Sequence, residues 1–202
     1  MIKTDNYGIV FNKLKSNILD DWQQYTKHTF VKSIGNASLD RKLYIKYLKQ
    51  DYIFLIHFSR AWALLVAKSN SVNEMRIASA TLNALVNEEI QLHIKTCKAE
   101  GISEEQLFKT LEEVNNLAYT RFVLEAGYSG DFLDLLVALS PCVFGYGEIG
   151  LYLKSISKND NPYISWIDTY HSKEYQDVCI NIGSLLDKAT EERLGKGFVN
   201  NT

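Results

Sequence analysis

Only two prolines, Pro141 and Pro162, interrupt a chain of 202 residues. Long segments between them repeat apolar residues at helical spacing, and no strand-like alternation persists, so the expected class is all-α with short connections. A first helix is expected over about Asn6 to Thr26, with Ile9, Phe11, Leu14, Ile18 and Trp22 along one side. The stretch KHTFVKSIGNAS then reads as a loop turning at Gly35 and Asn36. A second, longest helix starts near Ser38, whose hydroxyl suits a cap, and continues without a breaker through YLKQDYIFLIHFSRAWALLVAKS.

A third helix is expected over Asn73 to Glu100, closed by Gly101. Ser103, with Glu104 and Glu105, opens a fourth that reaches about Ala126, and GYSG forms a turn. The fifth, Asp131 to about Ser155, is apolar nearly all round over FLDLLVALSPCVF, the pattern of a central helix in a bundle. After the break at KNDNP, Pro162 suits the first turn of a short helix through Trp166 to Tyr170, and SKEYQDVCINIGSLLDKATEERL is a last amphipathic one. These patterns describe a bundle of about seven helices.

Composition limits the function classes. With 46% hydrophobic and 23% charged residues, the chain can overcome its conformational entropy and form one domain over residues 1–202. Lys+Arg 22 against Asp+Glu 24 gives a net charge of −2 with no basic stripe, which argues against nucleic acid and for a small-molecule or protein partner. Cys97, Cys142 and Cys179 are widely spaced and odd in number, which fits reduced thiols in a cytoplasmic protein better than a disulfide frame. The N-terminus lacks the apolar core of a signal peptide. The charge-free stretch Leu135 to Gly147 is shorter than the ~20 residues of a membrane helix, so no membrane partner is expected.

Candidate chemistry comes from side chains. In LSPCVFGYGEIG, Pro141 has no N–H to donate to the carbonyl four residues back, a substitution that costs about 3 kcal/mol in an ordinary helix interior. Two readings stand for the adjacent Cys142: a thiol presented where the helix opens, or a small buried hydrophobe. Tyr146, four residues on and flanked by Gly145 and Gly147, shares its helix face, as a cavity wall would require. No Lys, Arg or His between Leu135 and Gly147 is available to lower the thiol pKa.

Asp51, deep in the second helix, either is buried and needs a partner such as a ligand amine, or faces water beside Lys49 and Gln50. Phe54 lies three residues further along the same face. Glu88, Glu89 and His93 raise the possibility of iron, but no second acid and histidine cluster accompanies them, and a structural hydrogen bond for His93 is the better reading. No metal ligand set and no cofactor are assigned. The aromatics Tyr119, Phe144, Tyr146, Tyr163, Trp166 and Tyr170 can line a pocket for a flat ring or simply fill core.

Taken in order and spacing, FVKSIGNASL, YLKQDYIFLIHF, NEEIQLH, LSPCVFGYGEIG and WIDTY resemble the thiaminase II (TenA) family of thiamin salvage, over nearly the whole chain. The resemblance implies a heme-oxygenase-like helical bundle, a homotetramer, and hydrolysis of 4-amino-5-aminomethyl-2-methylpyrimidine or of thiamin without a cofactor. It makes Cys142 the nucleophile and Asp51 the group that binds the ring nitrogen and 4-amino group. Tyr146, Tyr170 and Tyr119 match family tyrosines near the substrate. Phe54 stands where the family often has a tyrosine, and can stack but not donate a hydrogen bond. The family's acidic residue, on a last helix, would lie beyond Thr202, and Glu191 and Glu192 precede its position; the chain is therefore expected to lack that helix. Two rival functions follow: a non-catalytic pyrimidine-binding or regulatory protein, motivated by Phe54 and the acid, and a metal-dependent oxidase, motivated by Glu89 and His93.

Overall fold

A computed structural model describes residues 7–195. Among these, eleven α-helices and one π turn are present and no strand. The all-α expectation holds, while the count of about seven does not, because three expected helices are divided and one expected loop is helical. The chain forms two compact units, one holding the residues up to Leu39 and those from Ser140 onward, the other Asp40–Leu139.

In the first unit the expected opening helix is two, α1 (Ile9–Asn17) and α2 (Leu19–Thr26), broken where Ile18 leaves helical geometry. Asn6 lies outside the described residues. The break lets Trp22 set its ring edge-on to Phe11, at 5.4 Å between centroids, while its indole N–H donates to Glu148 at 2.9 Å. Asp187 caps α1 from a distant helix, accepting from the N–H groups of Ile9 and Val10 at 2.9 and 2.8 Å and so satisfying two of the donors that any helix start leaves over.

The stretch expected to be a loop contains α3 (Thr29–Gly35), whose start is capped by the His28 ring accepting from the Phe30 N–H. Val31 and Ile34, three apart, are buried, so tertiary burial stabilises a helix too short to persist alone. Asn161, itself buried, donates to the carbonyls of Ile34 and Gly35 at 2.8 and 2.9 Å, and the Tyr163 hydroxyl donates to Leu39 at 2.7 Å. The left-handed residue of the following turn is Ala37, at φ 62°, rather than a glycine. Helices α10 (Ile164–His171) and α11 (Lys173–Leu194) complete this unit, with the Ser172 hydroxyl capping α11.

The second unit is organised on α4 (Arg41–Ala67), which starts one turn later than Ser38 because Asp40, not Ser38, is the cap, accepting from the Lys42 N–H at 2.7 Å. Helices α5 (Val72–Ala84), α6 (Ile90–Ala99) and α8 (Val114–Ser129) pack against it. The expected fourth helix is divided: α7 (Glu104–Phe108), opened by a Ser103–Gln106 capping box, is separated from α8. Gln50 holds that break open, donating to the Leu111 carbonyl and accepting from the Glu113 N–H, both at 2.9 Å.

The expected third helix is α5 and α6 joined by a π turn at Leu85–Glu89, where the Ile90 N–H reaches back to Leu85. The turn inserts one residue into the register. Glu74, Ala78 and Leu85 form the buried stripe before it, and His93 and Cys97 continue the stripe after it. A straight α-helix would carry the seven-residue step from Leu85 to Leu92 instead; Leu92 is 41% exposed.

Helix α9 (Phe132–Ile156) runs continuously through Pro141. It begins where Asp131 accepts from Leu133 and Asp134 N–H groups while Asp134 accepts in return from the Asp131 N–H. By length and composition α9 could cross a membrane, but Leu135, Leu136, Leu139, Phe144 and Leu153 have no exposed surface, as in a core helix.

Candidate active site

The residues singled out in the sequence fall into two clusters, one in each unit. In the second unit, Asp51 is buried at 6% exposure, so of the two readings the water-facing one is excluded. Its partners are protein groups. The Tyr47 hydroxyl, one helical turn earlier on α4, donates to Asp51 Oδ2 at 2.9 Å, and His93 Nε2 lies 2.7 Å from the same oxygen. His93 Nδ1 is 2.9 Å from the carbonyl of Glu89. The expected structural hydrogen bond of His93 is present, and among the described residues no group of three or more metal-ligating side chains gathers around it.

The chemistry of this pair follows from its donors. A backbone carbonyl only accepts, so Nδ1 carries a proton; with Nε2 turned to a carboxylate oxygen, both ring nitrogens donate when the imidazole is charged. Burial lowers the His93 pKa, but the hydrogen bond and charge of Asp51, reinforced by Glu89, outweigh it and raise the value to about 9. His93 is therefore an imidazolium at neutral pH. His57 behaves oppositely: burial and the charges of Arg121 and Arg60 hold its pKa below the ordinary value, against the attraction of Glu112.

Beyond the carboxylate on α4, Phe54 stacks on Phe58 at 5.0 Å and lies nearly parallel to Tyr119 of α8, with 9° between planes and 5.9 Å between centroids. Phe54 and Tyr119 are both half-buried, whereas Phe58 is buried. The structure thus brings Phe54 and Tyr119 into one aromatic layer.

In the first unit, Cys142 is half-buried on α9, one turn before Tyr146. Tyr146 packs against Tyr170 of α10 at 4.7 Å and against Trp166 at 6.0 Å, and Tyr170 meets Tyr175 edge-on at 5.0 Å. Gly150 makes this possible: a Cβ there would strike the backbone of Tyr170 and His171, so glycine alone lets α10 approach. The glycines beside Tyr146 differ from the cavity wall expected of them. The space at Gly145 is filled by the Tyr25 ring, and that at Gly147 by the Tyr7 hydroxyl and the Cys179 sulfur. These glycines admit core aromatics.

Sequence reasoning missed Tyr47 altogether and left His93 without its partner. The Tyr47 to Asp51 spacing of one helical turn was a readable signal; the π turn that directs His93 inward was not. Glu191 and Glu192 are exposed on α11.

Comparison with known proteins supplies the family. Residues 16–196 match the TENA/THI-4/PQQC family. A protein of Halalkalibacterium halodurans named aminopyrimidine aminohydrolase is 37% identical over 169 residues, which are 83% of this chain and 75% of that protein. One of the same name from Helicobacter pylori is 30% identical over 180 residues, 88% of this chain and 82% of its own. A crystal structure described as a TenA family transcription regulator, from Silicibacter sp., is 53% identical, with a TM-score of 0.95 and coverage of 98% of this chain and 88% of that one. The match covers most of the sequence, and the chain belongs to the TENA/THI-4/PQQC family.

Proposed function

We propose that this chain is a hydrolase acting in thiamin metabolism, an aminopyrimidine aminohydrolase of the thiaminase II type that converts 4-amino-5-aminomethyl-2-methylpyrimidine, and also thiamin, to the 5-hydroxymethyl compound. Its relatives named aminopyrimidine aminohydrolase support the reaction. The observation that carries the reading is the buried Asp51 carboxylate, held by Tyr47 and His93, a group suited to the N–H edge of an aminopyrimidine.

In this reading the Cys142 sulfur adds to a ring carbon, and its electron pair moves into the ring toward the nitrogen bound at Asp51. The ring electrons then break the C–N bond to the exocyclic amine, which takes up the proton lost by the thiol and leaves as ammonia; the hydroxyl of water bonds to the methylene, and the C–S bond breaks as the ring is restored, the sulfur regaining the proton that water gives up. Phe54 and Tyr119 stack in one unit and Tyr146 and Tyr170 pack in the other, and it is the family resemblance that gives each pair a role beside a flat substrate. The assembly proposed is a homotetramer; Leu111, Val114, Phe108 and Phe122, exposed on the second unit, are apolar surface that association would cover.

The test is incubation of the purified protein with the aminomethylpyrimidine while ammonia and the hydroxymethyl product are followed. Cys142→Ala is expected to lower turnover by at least about 10³-fold, the scale of losing a nucleophile, and to retain ligand binding. Equal rates for the variant and the wild type would exclude the mechanism. Tight binding by the wild type without turnover would instead establish a binding or regulatory protein.

A further inference from the structure

His93 lies outside the residues that the family resemblance assigns to the site, yet the structure spends an unusual backbone feature on it. The π turn shifts the register of α6 by one residue, turning an apolar side chain, Leu92, outward and bringing an imidazole to 3% exposure in its place. On hydrophobic grounds alone the straight helix is better, because it buries the leucine and exposes the histidine. Burial of His93 must therefore be offset by what it contacts.

Those contacts are asymmetric on Asp51. Tyr47 and His93 both donate to Oδ2, at 2.9 and 2.7 Å, so that oxygen has its two lone pairs engaged. Among the described residues, both donors to the Asp51 carboxylate go to Oδ2 and none to Oδ1. One oxygen is thus anchored and the other keeps its lone pairs for a further donor. The groups facing His93 are Asp51 and Tyr47 from α4 and Glu89 at the end of the π turn, with Cys97 one turn further along α6.

We infer that His93 is a positioning residue: its imidazolium fixes Asp51 through Oδ2, sets the plane of the carboxylate, and leaves Oδ1 to accept from the N–H groups of a bound aminopyrimidine. The inference rests on the reading given under Proposed function and assigns specificity within it. Because the carboxylate oxygen left over can only accept, the favoured ligands present an N–H donor to it, such as a 4-amino group, and a 4-oxo analogue, which presents an acceptor at that position, is disfavoured.

The experiment uses the full chain, with 4-amino-5-hydroxymethyl-2-methylpyrimidine and its 4-oxo analogue as probes, in the wild type and in His93→Gln and His93→Asn. Calorimetry and turnover are expected to show roughly tenfold or greater loss of affinity and a matching rise in KM in the variants, with a smaller change in kcat, and a narrowed preference between the two probes. In the wild type, nitrogen-detected NMR is expected to show both His93 nitrogens protonated at pH 7 and the Nε2–H signal moving when the amino probe binds. Folded variants that match the wild type in affinity, KM and probe preference would overturn the inference while leaving the proposed reaction standing. A wild type that neither binds nor turns over the amino compounds would overturn both. Should neither variant fold, the NMR decides alone: a neutral or unmoved imidazole refutes the assignment, and a charged, responsive one supports it.

Discussion

At the scale of the residue, the chemistry of this protein centres on a buried carboxylate whose company could be read only in part from the chain. Asp51 read either as buried and in need of a partner or as facing water, and Tyr47 one turn away was within reach by spacing alone. His93, 42 positions further on, became that partner through folding. The consequence is measurable in pH. The folded pKa of His93, about 9, lies above the ordinary 6.5, so its contribution to stability is complete below about pH 6.5 and is lost as pH rises through about 9. Denaturant unfolding is expected to weaken by on the order of 2 kcal/mol between pH 6 and 10, and by much less in Asp51→Asn. In that variant burial and Glu89 act on His93 without the Asp51 carboxylate, so NMR titration should place its pKa well below 9.

At the scale of the element, most helices were legible and their ends were not. Apolar spacing located α4, α9 and α11, because those helices are long and their inner faces regular. The divisions at Ile18, at the π turn and before Val114 depend on groups far along the chain: Glu148 drawing Trp22 inward, Asp51 drawing His93, and Gln50 binding both sides of the gap before α8. The register can be tested directly. Deleting Asn87 removes the extra residue of the π turn and leaves His93 seven positions after Leu85, so a straight helix is expected to keep His93 inward and Leu92 outward, with far-UV helicity retained and aminopyrimidine binding within about threefold of the wild type. In α9, Gly150→Ala is expected to cost roughly 1–3 kcal/mol in unfolding experiments, since the added methyl meets the Tyr170 backbone rather than a movable side chain.

At the scale of the whole molecule, three thiols sample very different surroundings. Cys97 and Cys179 have no exposed surface, and burial raises both pKa values, that of Cys179 to about 12. Cys142 is half-buried. With a colourless aromatic disulfide reagent, one thiol is expected to react in the native protein at least about tenfold faster than the other two, and Cys142→Ala should remove that phase; three thiols react after denaturation. Light scattering of the purified chain is expected to give a tetramer, the assembly proposed with the function.

The chain by itself determined its helical class, its family, and which side chains carry reactive groups, because periodicity, scarce prolines and motif order are local properties that survive in a string of letters. What tertiary structure alone decided is pairing: which oxygen of Asp51 is held, that a leucine yields its inward place to a histidine, and that the glycines around Tyr146 admit core rings. Each of these depends on the free energy of burying one group against another from a distant segment, and no local pattern encodes that balance.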